Sequence, residues 1–345
     1  QIMSNYIFIL TYWLGGGTEK VFENIAKVLS DKNNVYLYVI NGFDKDKYRP
    51  EKSVTVINSK KELRDISNKD SIIVNFSGDW KSSLTAALLS KEFISWIHCN
   101  PHTMHGAKTS FFNFWLLKRS KNIVCVCNEQ KDILQKEYGF KNNFTVIYNS
   151  VDFENAEKLA NEDLNIDYKY FLMVARIDFN SKDFFTVIDA YSMLNKDVQE
   201  QYKLVFLGDG NDKSAVEDYI KEKQLSNKIV LPGFDKNPYK WLKNAECNIL
   251  SSKTEGFALS VIEGMSLGCP EIITNYKTGA NEVANDGKNV IVVDIGNALE
   301  MSMAMNNIVT DTVLRNNLIS NSFVFINEFS QDIFSKRIND FFGVV

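Results

Sequence analysis

No stretch of the chain approaches the ~18 consecutive apolar residues needed to span a bilayer, and there is no low-complexity tract and no Cys-x-x-Cys pair. A spanning helix and a paired-thiol redox motif are therefore not expected. Only three histidines occur, His98, His102 and His105. They fall close together, but Pro101 breaks any helical face they would share, and no carboxylate or thiol cluster nearby completes a tetrahedral set, so no metal site is expected. An excess of positive charge is lacking as well. The formal net charge of −4 excludes a broad electrostatic footprint for nucleic acid, so any anion site must be built locally. The five cysteines, Cys99, Cys125, Cys127, Cys247 and Cys269, are odd in number and lie in apolar or strand-like surroundings. That is the pattern of reduced, buried thiols in a cytoplasmic protein. Met3 reads as a native start, and the residues after it lack the basic region and cleavage site of a secretory leader.

What is present is a chain of 345 residues, 45% apolar and 24% charged, a globular composition too long for one ordinary core and suited to about two domains. Short β-rich runs recur at 6–10, 35–40, 54–57, 72–74, 93–97, 123–126 and 145–147, most of them separated by helical or polar stretches. After a polar link at 152–168 they restart at 171–174, 204–207, 229–231, 248–250, 272–274 and 290–293. Alternation of this kind means parallel sheets with helices on both faces, here two doubly wound α/β domains. The closing segment 327–342 places Phe329, Ile333, Phe334, Ile338, Phe341 and Phe342 at helical spacing.

The stretch Glu255-Gly256-Phe257-Ala258-Leu259-Ser260-Val261-Ile262-Glu263 follows the run 248–250 and precedes a stop at Gly268 and Pro270. It reads as strand, loop and helix, with Glu255 in the loop and Glu263 about one turn into the helix. Both carboxylates then border the space outside a strand end, where open α/β sheets bind ligands and helix N-terminal N–H groups favour anions. Carboxylates accept pairs of hydroxyl hydrogen bonds, so this layout suits a phosphate flanked by hydroxyls, as in a nucleotide sugar; two solvated acids would give the same spacing. Arg176 and Lys182 follow the run 171–174. As a fork and a point charge they suit a diphosphate, or they are surface cations.

Gly15-Gly16-Gly17 follows the first strand, and Thr18 is a plausible cap for the helix after it; a tight turn explains these glycines as well as a phosphate or sugar contact does. His98 ends the run 93–97, either as a polar contact to a substrate or as a buried structural residue. From Ser110 the chain reads Ser-Phe-Phe-Asn-Phe-Trp-Leu-Leu-Lys-Arg-Ser-Lys, and between Lys81 and Thr145 nine Lys or Arg stand against four Asp or Glu. Such a segment, 108–121, suits a membrane interface rich in anionic lipid, or a core-facing helix with a basic outer side.

In this order and spacing, several stretches resemble the retaining glycosyltransferases of family 4. They are Gly16-Gly17-Thr18-Glu19, Ile147-Tyr148-Asn149-Ser150-Val151-Asp152, Val174-Ala175-Arg176 with Lys182, Gly208-Asp209-Gly210, Leu231-Pro232-Gly233, Glu255-Gly256-Phe257 to Glu263, and Thr278-Gly279-Ala280-Asn281-Glu282. The resemblance implies the GT-B fold, two Rossmann-like domains facing an interdomain cleft, with 1–152 on the acceptor side, 153–326 binding the nucleotide sugar and 327–345 crossing back as a helix. It implies that Glu255 contacts the donor sugar, that Glu263 contacts the ribose, and that Arg176 and Lys182 hold the diphosphate. Backbone N–H groups of Phe257, Ala258, Leu259 and Ser260 would assist. Gly16 and Gly17 would approach donor or acceptor, and His98 would line the sugar pocket. Two positions depart from the family pattern: Ala175 replaces a usual glycine and Gly264 a usual alanine. Asp44-Lys45-Asp46 matches the metal-binding Asp-x-Asp of another transferase class, but it sits in a polar loop with no second acidic cluster and reads as a solvated turn.

The expectation is a metal-independent enzyme, without cofactor, that moves a sugar with retention from a nucleoside diphosphate sugar, UDP-sugar favoured, to a hydroxyl. The acceptor expected is a cell-surface glycan or lipid-linked precursor, and the location cytoplasmic with peripheral inner-leaflet contact. A nucleotide-sugar epimerase, a glycan phosphorylase or a non-catalytic sugar-nucleotide-binding module of the same fold are the alternatives.

Overall fold

The computed structural model describes residues 3–13, 16–42, 50–105 and 110–344. The chain divides into two compact units, one made of 1–150 with 331–345 and the other of 151–330.

In the first unit, β1 (Asn5–Leu10), β2 (Asn34–Val39), β3 (Val54–Ile57), β4 (Ile72–Asn75), β5 (Ile94–Ile97), β6 (Asn122–Cys125) and β7 (Asn143–Val146) form one sheet. Their spatial order is β3-β2-β1-β4-β5-β6-β7, and every neighbouring pair is parallel. Tyr6 to Leu10 are all buried, as a parallel strand covered on both faces requires, which is why these runs show no alternation of apolar and polar residues. The helix Gly17–Leu29 packs Val21, Phe22, Ile25 and Leu29 inward. Its start is closed by the Gly16 N–H, which donates to the Glu19 carboxylate at 3.0 Å. The helix Gln331–Phe342 belongs to this unit: Phe342 meets Tyr6 edge to face at 5.1 Å, and Phe341 meets Trp96 at 6.4 Å.

Beneath the strand ends of this unit lies a neutral polar network. Asn75 at the end of β4 donates to Ser83 at 2.9 Å and Ser95 at 3.2 Å, and accepts from the Gly78 N–H at 3.1 Å. Ser83 donates to Asn113 at 2.9 Å, and Asn113 donates to the Gly78 carbonyl at 2.9 Å. Amides and hydroxyls that satisfy one another can be buried at little cost.

In the second unit, β8 (Lys169–Val174), β9 (Tyr202–Leu207), β10 (Ile229–Gly233), β11 (Asn248–Leu250), β12 (Glu271–Thr274) and β13 (Ile291–Val293) form a sheet in the order β10-β9-β8-β11-β12-β13, again parallel throughout. Phe171, Met173, Phe184, Val187, Ile188, Leu204 and Phe206 fill the core under one face, each large side chain contributing roughly 2 kcal/mol by leaving water.

Two segments differ from their sequence reading. The stretch read as a polar link contains the helix Phe153–Ala160, capped by Asp152, whose carboxylate accepts from the Asn155 N–H at 3.1 Å. Its buried side chains are only Ala156 and Ala160, too small to give a hydrophobic period. The closing segment is not one helix. Ile326–Phe329 is a single 3-10 turn of the second unit, with the Phe329 carbonyl accepting from the Val151 N–H at 3.0 Å, and the helix proper starts at Gln331. All five cysteines are free, and all but Cys99 are buried. Gly15, Asp44, Lys45 and Asp46 lie outside the described residues. Among the described residues no helix is long and apolar enough to cross a membrane.

Candidate functional site

The order of the second sheet reverses between β8 and β11. A doubly wound sheet leaves a crevice there, outside the C-terminal strand ends, because the connections on either side lead to opposite faces. The segment after β8 carries Arg176 and Lys182, and the segment after β11 carries Ser251, Ser252 and Glu255.

Glycines after β9 hold the first of these segments in place. A Cβ on Gly208 would lie 2.0 Å from the Ala175 carbonyl oxygen, and one on Gly210 would lie 2.1 Å from that of Ile177. Only glycine allows this approach, through which the Ile177 N–H donates to the Asp209 carbonyl at 3.0 Å. Farther on, the Lys182 N–H donates to Asp178 O at 2.9 Å, and the Asp183 N–H donates to Ser251 O at 2.9 Å. The chain is thereby pinned to both neighbouring segments.

This pinning brings Lys182 and Glu255 together across 73 residues of sequence. Their side chains, only 14% and 16% exposed, form an ion pair. Ser252 bridges the pair: its hydroxyl accepts from the Lys182 ammonium at 3.2 Å and donates to Glu255 Oε1 at 2.6 Å. The Glu255 carbonyl accepts from the Thr278 hydroxyl. Thr278 has φ of 78°, a conformation that costs a β-branched residue of order 1–3 kcal/mol and clusters at functional sites.

Glu263 stands on the helix Leu259–Ser266. It is buried, and its Oε1 accepts from the Tyr239 hydroxyl at 3.1 Å. Burial, and then the negative charge of Glu263, push the Tyr239 hydroxyl well above its ordinary range, so it stays a donor. Leu259 and Ser260 form the first turn of the helix after Ala258, whose backbone is extended; N–H groups of a first turn have no intrahelical acceptor. The Phe257 ring turns into the core, 5.5 Å from Phe329, so only its backbone can serve a ligand. Arg176 extends into water, 68% exposed, with Asp178 3.6 Å away. Lys182 and Glu255 are thus in direct contact, whereas Glu263 and Arg176 have other partners.

In the first unit, Gly16 precedes and Gly17 begins the helix after β1. His98 follows β5, its ring 4.3 Å from that of Phe76 and parallel to Trp96 at 6.3 Å. Its Nε2 is buried and has no hydrogen-bond partner among the described residues, and burial lowers its pKa to about 3, so the ring is neutral. His102 instead meets Glu137, Nε2 to carboxylate at 2.6 Å, and the side chain of His105 is outside the described residues. Among the described residues no group of three or more His, Cys, Asp or Glu is placed to hold a metal ion.

Ser252, Tyr239 and Thr278 complete the site without having been singled out as functional in the sequence. Thr278 lies in a stretch that the family resemblance includes. Ser252 and Tyr239 carry no pattern of their own.

The family model for glycosyl transferases group 1 matches residues 154–324, and that for glycosyltransferase family 4 matches 15–155. The N-acetylgalactosamine-N,N'-diacetylbacillosaminyl-diphospho-undecaprenol 4-alpha-N-acetylgalactosaminyltransferase of Campylobacter jejuni is 35% identical over 170 residues, 49% of this chain and 45% of that protein. The chain therefore spans about half the length of that relative. The amylovoran biosynthesis glycosyltransferase AmsD of Erwinia amylovora is 24% identical over 94% of this chain and 95% of its own. The Anabaena protein Alr3699/HepE, solved in complex with UDP-glucose, superposes with a TM-score of 0.84 at 17% identity, covering 99% of this chain and 100% of that one. The two parallel-sheet units are those of the GT-B fold.

Proposed function

The chain belongs to the family 4 glycosyltransferases, and from that premise we propose that it transfers a glycosyl unit, with retention, from a nucleoside diphosphate sugar to a hydroxyl. The observation that carries this reading is the Lys182–Ser252–Glu255 cluster at the switch point of the second sheet. A mostly buried ammonium at that place offers charge to a leaving diphosphate without first shedding its water, which is where electrostatic catalysis acts. In the reaction the bond from the anomeric carbon to the diphosphate oxygen breaks, the acceptor oxygen bonds to the same carbon, and the acceptor proton passes to the departing diphosphate.

Lys182 and Arg176 are assigned to the diphosphate, Glu255 to the sugar hydroxyls and Glu263 to the ribose. Backbone N–H groups at Phe257, Ala258, Leu259 and Ser260 would assist, while Gly16, Gly17 and the neutral ring of His98 serve the sugar or acceptor. This chemistry asks for neither metal nor cofactor, since two cations and a helix N-terminus can take up the diphosphate charge. The UDP-glucose bound to HepE supports a UDP-sugar, and the diphospho-undecaprenol in the name of the Campylobacter relative supports a lipid-linked glycan acceptor.

A membrane-facing role for the first unit has its own support. The helix Ser110–Leu117 buries Phe114, Leu116 and Leu117 but exposes Phe111 (86%), Phe112 (40%) and Trp115 (50%). Arg119 lies over the Trp115 ring at 5.1 Å. One face is core and the other is aromatic with adjacent cations, which suits an anionic bilayer surface. Sedimentation with vesicles containing phosphatidylglycerol checks this: Phe111→Ser with Trp115→Ser should cut binding about tenfold, and unchanged binding refutes the contact.

The activity itself is tested by incubating the protein with UDP- and GDP-sugars and a polyprenyl-diphosphate glycan. Nucleoside diphosphate should appear only when acceptor is present. Epimerised sugar nucleotide without acceptor would identify an epimerase, dependence on inorganic phosphate a phosphorylase, and binding without turnover a non-catalytic module.

A further inference from the structure

Glu271 opens β12 with its side chain fully buried. Its Oε2 accepts from Asn248 Nδ2 on β11 at 2.8 Å, and its Oε1 has no hydrogen-bond partner among the described residues. Against it lies the backbone of the helix Leu259–Ser266. A Cβ at Gly264 would stand 1.8 Å from Oε1 and 3.0 Å from the carboxyl carbon. Glycine inside a helix costs roughly 1 kcal/mol relative to alanine, so this residue is unfavourable for the helix and is required by the carboxyl group. The residue before Gly264 is Glu263.

A carboxylate buried with a single hydrogen bond would be costly. Burial, with the charge of Glu263 adding to it, pushes the Glu271 carboxyl well above its ordinary range. Burial raises the Cys247 and Cys269 thiols too. Arg315, which acts on both thiols, is paired with Glu246.

We propose that Glu271 is a positioning residue whose buried side chain sets how deeply the helix Leu259–Ser266 seats on β12 and so where the Glu263 carboxylate stands. The inference rests on the reading of Glu263 as a ribose contact. Gly264 is the matching half of the pair.

Four variants test it: Glu271→Gln, Glu271→Ala, Gly264→Ala and the double Gly264→Ala/Glu271→Ala. The readouts are UDP and GDP affinity by titration calorimetry, together with KM and kcat for the sugar nucleotide that the wild type turns over. Glu271→Gln keeps a group of the same shape and should stay within about twofold of wild type. Glu271→Ala and Gly264→Ala should each weaken nucleotide binding about tenfold and raise KM, with kcat changed less than about threefold. The double variant puts a methyl group into the space the carboxyl vacates and should recover to within about threefold of wild type.

Unchanged affinity in Glu271→Ala, even with a lowered melting temperature, overturns the proposal, as does a double variant weaker than either single. If Glu271→Ala does not fold, the double and Glu271→Gln decide it by the same criteria. A wild type that binds neither UDP nor GDP fails before any variant is compared; it refutes the donor reading and this inference with it.

Discussion

Beneath the strand ends of the first unit, Asn75, Ser83, Ser95 and Asn113 form a network of amides and hydroxyls, Asn75 donating to Ser83 and Ser95. Beyond the C-terminal strand ends of the second unit Lys182 meets Glu255, and Glu263 meets Tyr239; Glu271 meets Asn248 at the other end, where β11 and β12 begin. The doubly wound topology is shared, so topology does not account for the difference. Burying charge is expensive unless it is paired: the buried Glu19 carboxylate of the first unit accepts from the Gly16 N–H, whereas in the second unit a lysine and a glutamate pair with each other. The neutral network finds its partners within itself, whereas the charged pair marks the candidate site.

Breaking the charged cluster should have the largest effect. Lys182→Ala and Glu255→Gln should each lower kcat/KM about 10²–10³-fold. Lys182→Ala should in addition cost about 3 kcal/mol of stability by leaving Glu255 unpaired, a loss that adding Glu255→Gln should partly restore in chemical denaturation. Two single variants with wild-type turnover would remove the basis for placing the chemistry in the second unit.

Asn75→Ala, the counterpart in the first unit, removes the acceptor of the Gly78 N–H and one partner each of Ser83 and Ser95. It should cost about 2 kcal/mol of stability while nucleotide affinity stays within about twofold. A large loss of affinity would show that the two units are not specialised in this way.

The units should also answer pH in opposite senses. His98 has a folded pKa lowered from 6.5 to about 3, so the unfolded chain binds a proton first; the first unit is fully stable above about pH 6.5 and loses stability as pH falls below it. Glu271 has a folded pKa raised above 4.5, so its contribution is intact below about pH 4.5 and is lost as pH rises towards the folded value. Each slope is at most about 1.4 kcal/mol per pH unit. Hydrogen exchange resolved to β4–β5 and to β11–β12 should show the two trends. His98→Gln should flatten the first and Glu271→Gln the second, and parallel trends would contradict the assignment.

The smallest effect expected is for Tyr239→Phe. Loss of its hydrogen bond to Glu263 removes about 1 kcal/mol, about a fivefold rise in donor KM with kcat nearly unchanged. A fall in kcat alone would place Glu263 at the reacting centre instead.

Every strand of both sheets was legible in advance, because runs such as Phe171 to Val174 combine apolar, β-branched and aromatic residues between helical stretches. The helix Phe153–Ala160 was not, since Ala156 and Ala160 give no hydrophobic contrast. The closing segment misled in another way. Phe329 continues the apolar spacing of Phe334 and Ile338, but it packs on Phe257 in the second unit, and periodicity does not record which core a side chain enters. At the site, Lys182 and Glu255 were each visible as residues, but their contact, and the serine that bridges them, were not. Tyr239 left no trace, and Gly264 appeared only as a departure from a family pattern.

By itself the sequence determined the sheets, their parallel sense and the residue types available for an anion, since strand propensity and local charge act over a few neighbouring positions. The tertiary structure alone decided which charges meet, which stay in water and which carboxyl is fully buried. Pairing and desolvation depend on groups from distant segments sharing one small volume, as Lys182 and Glu255, or Gly264 and Glu271, do here.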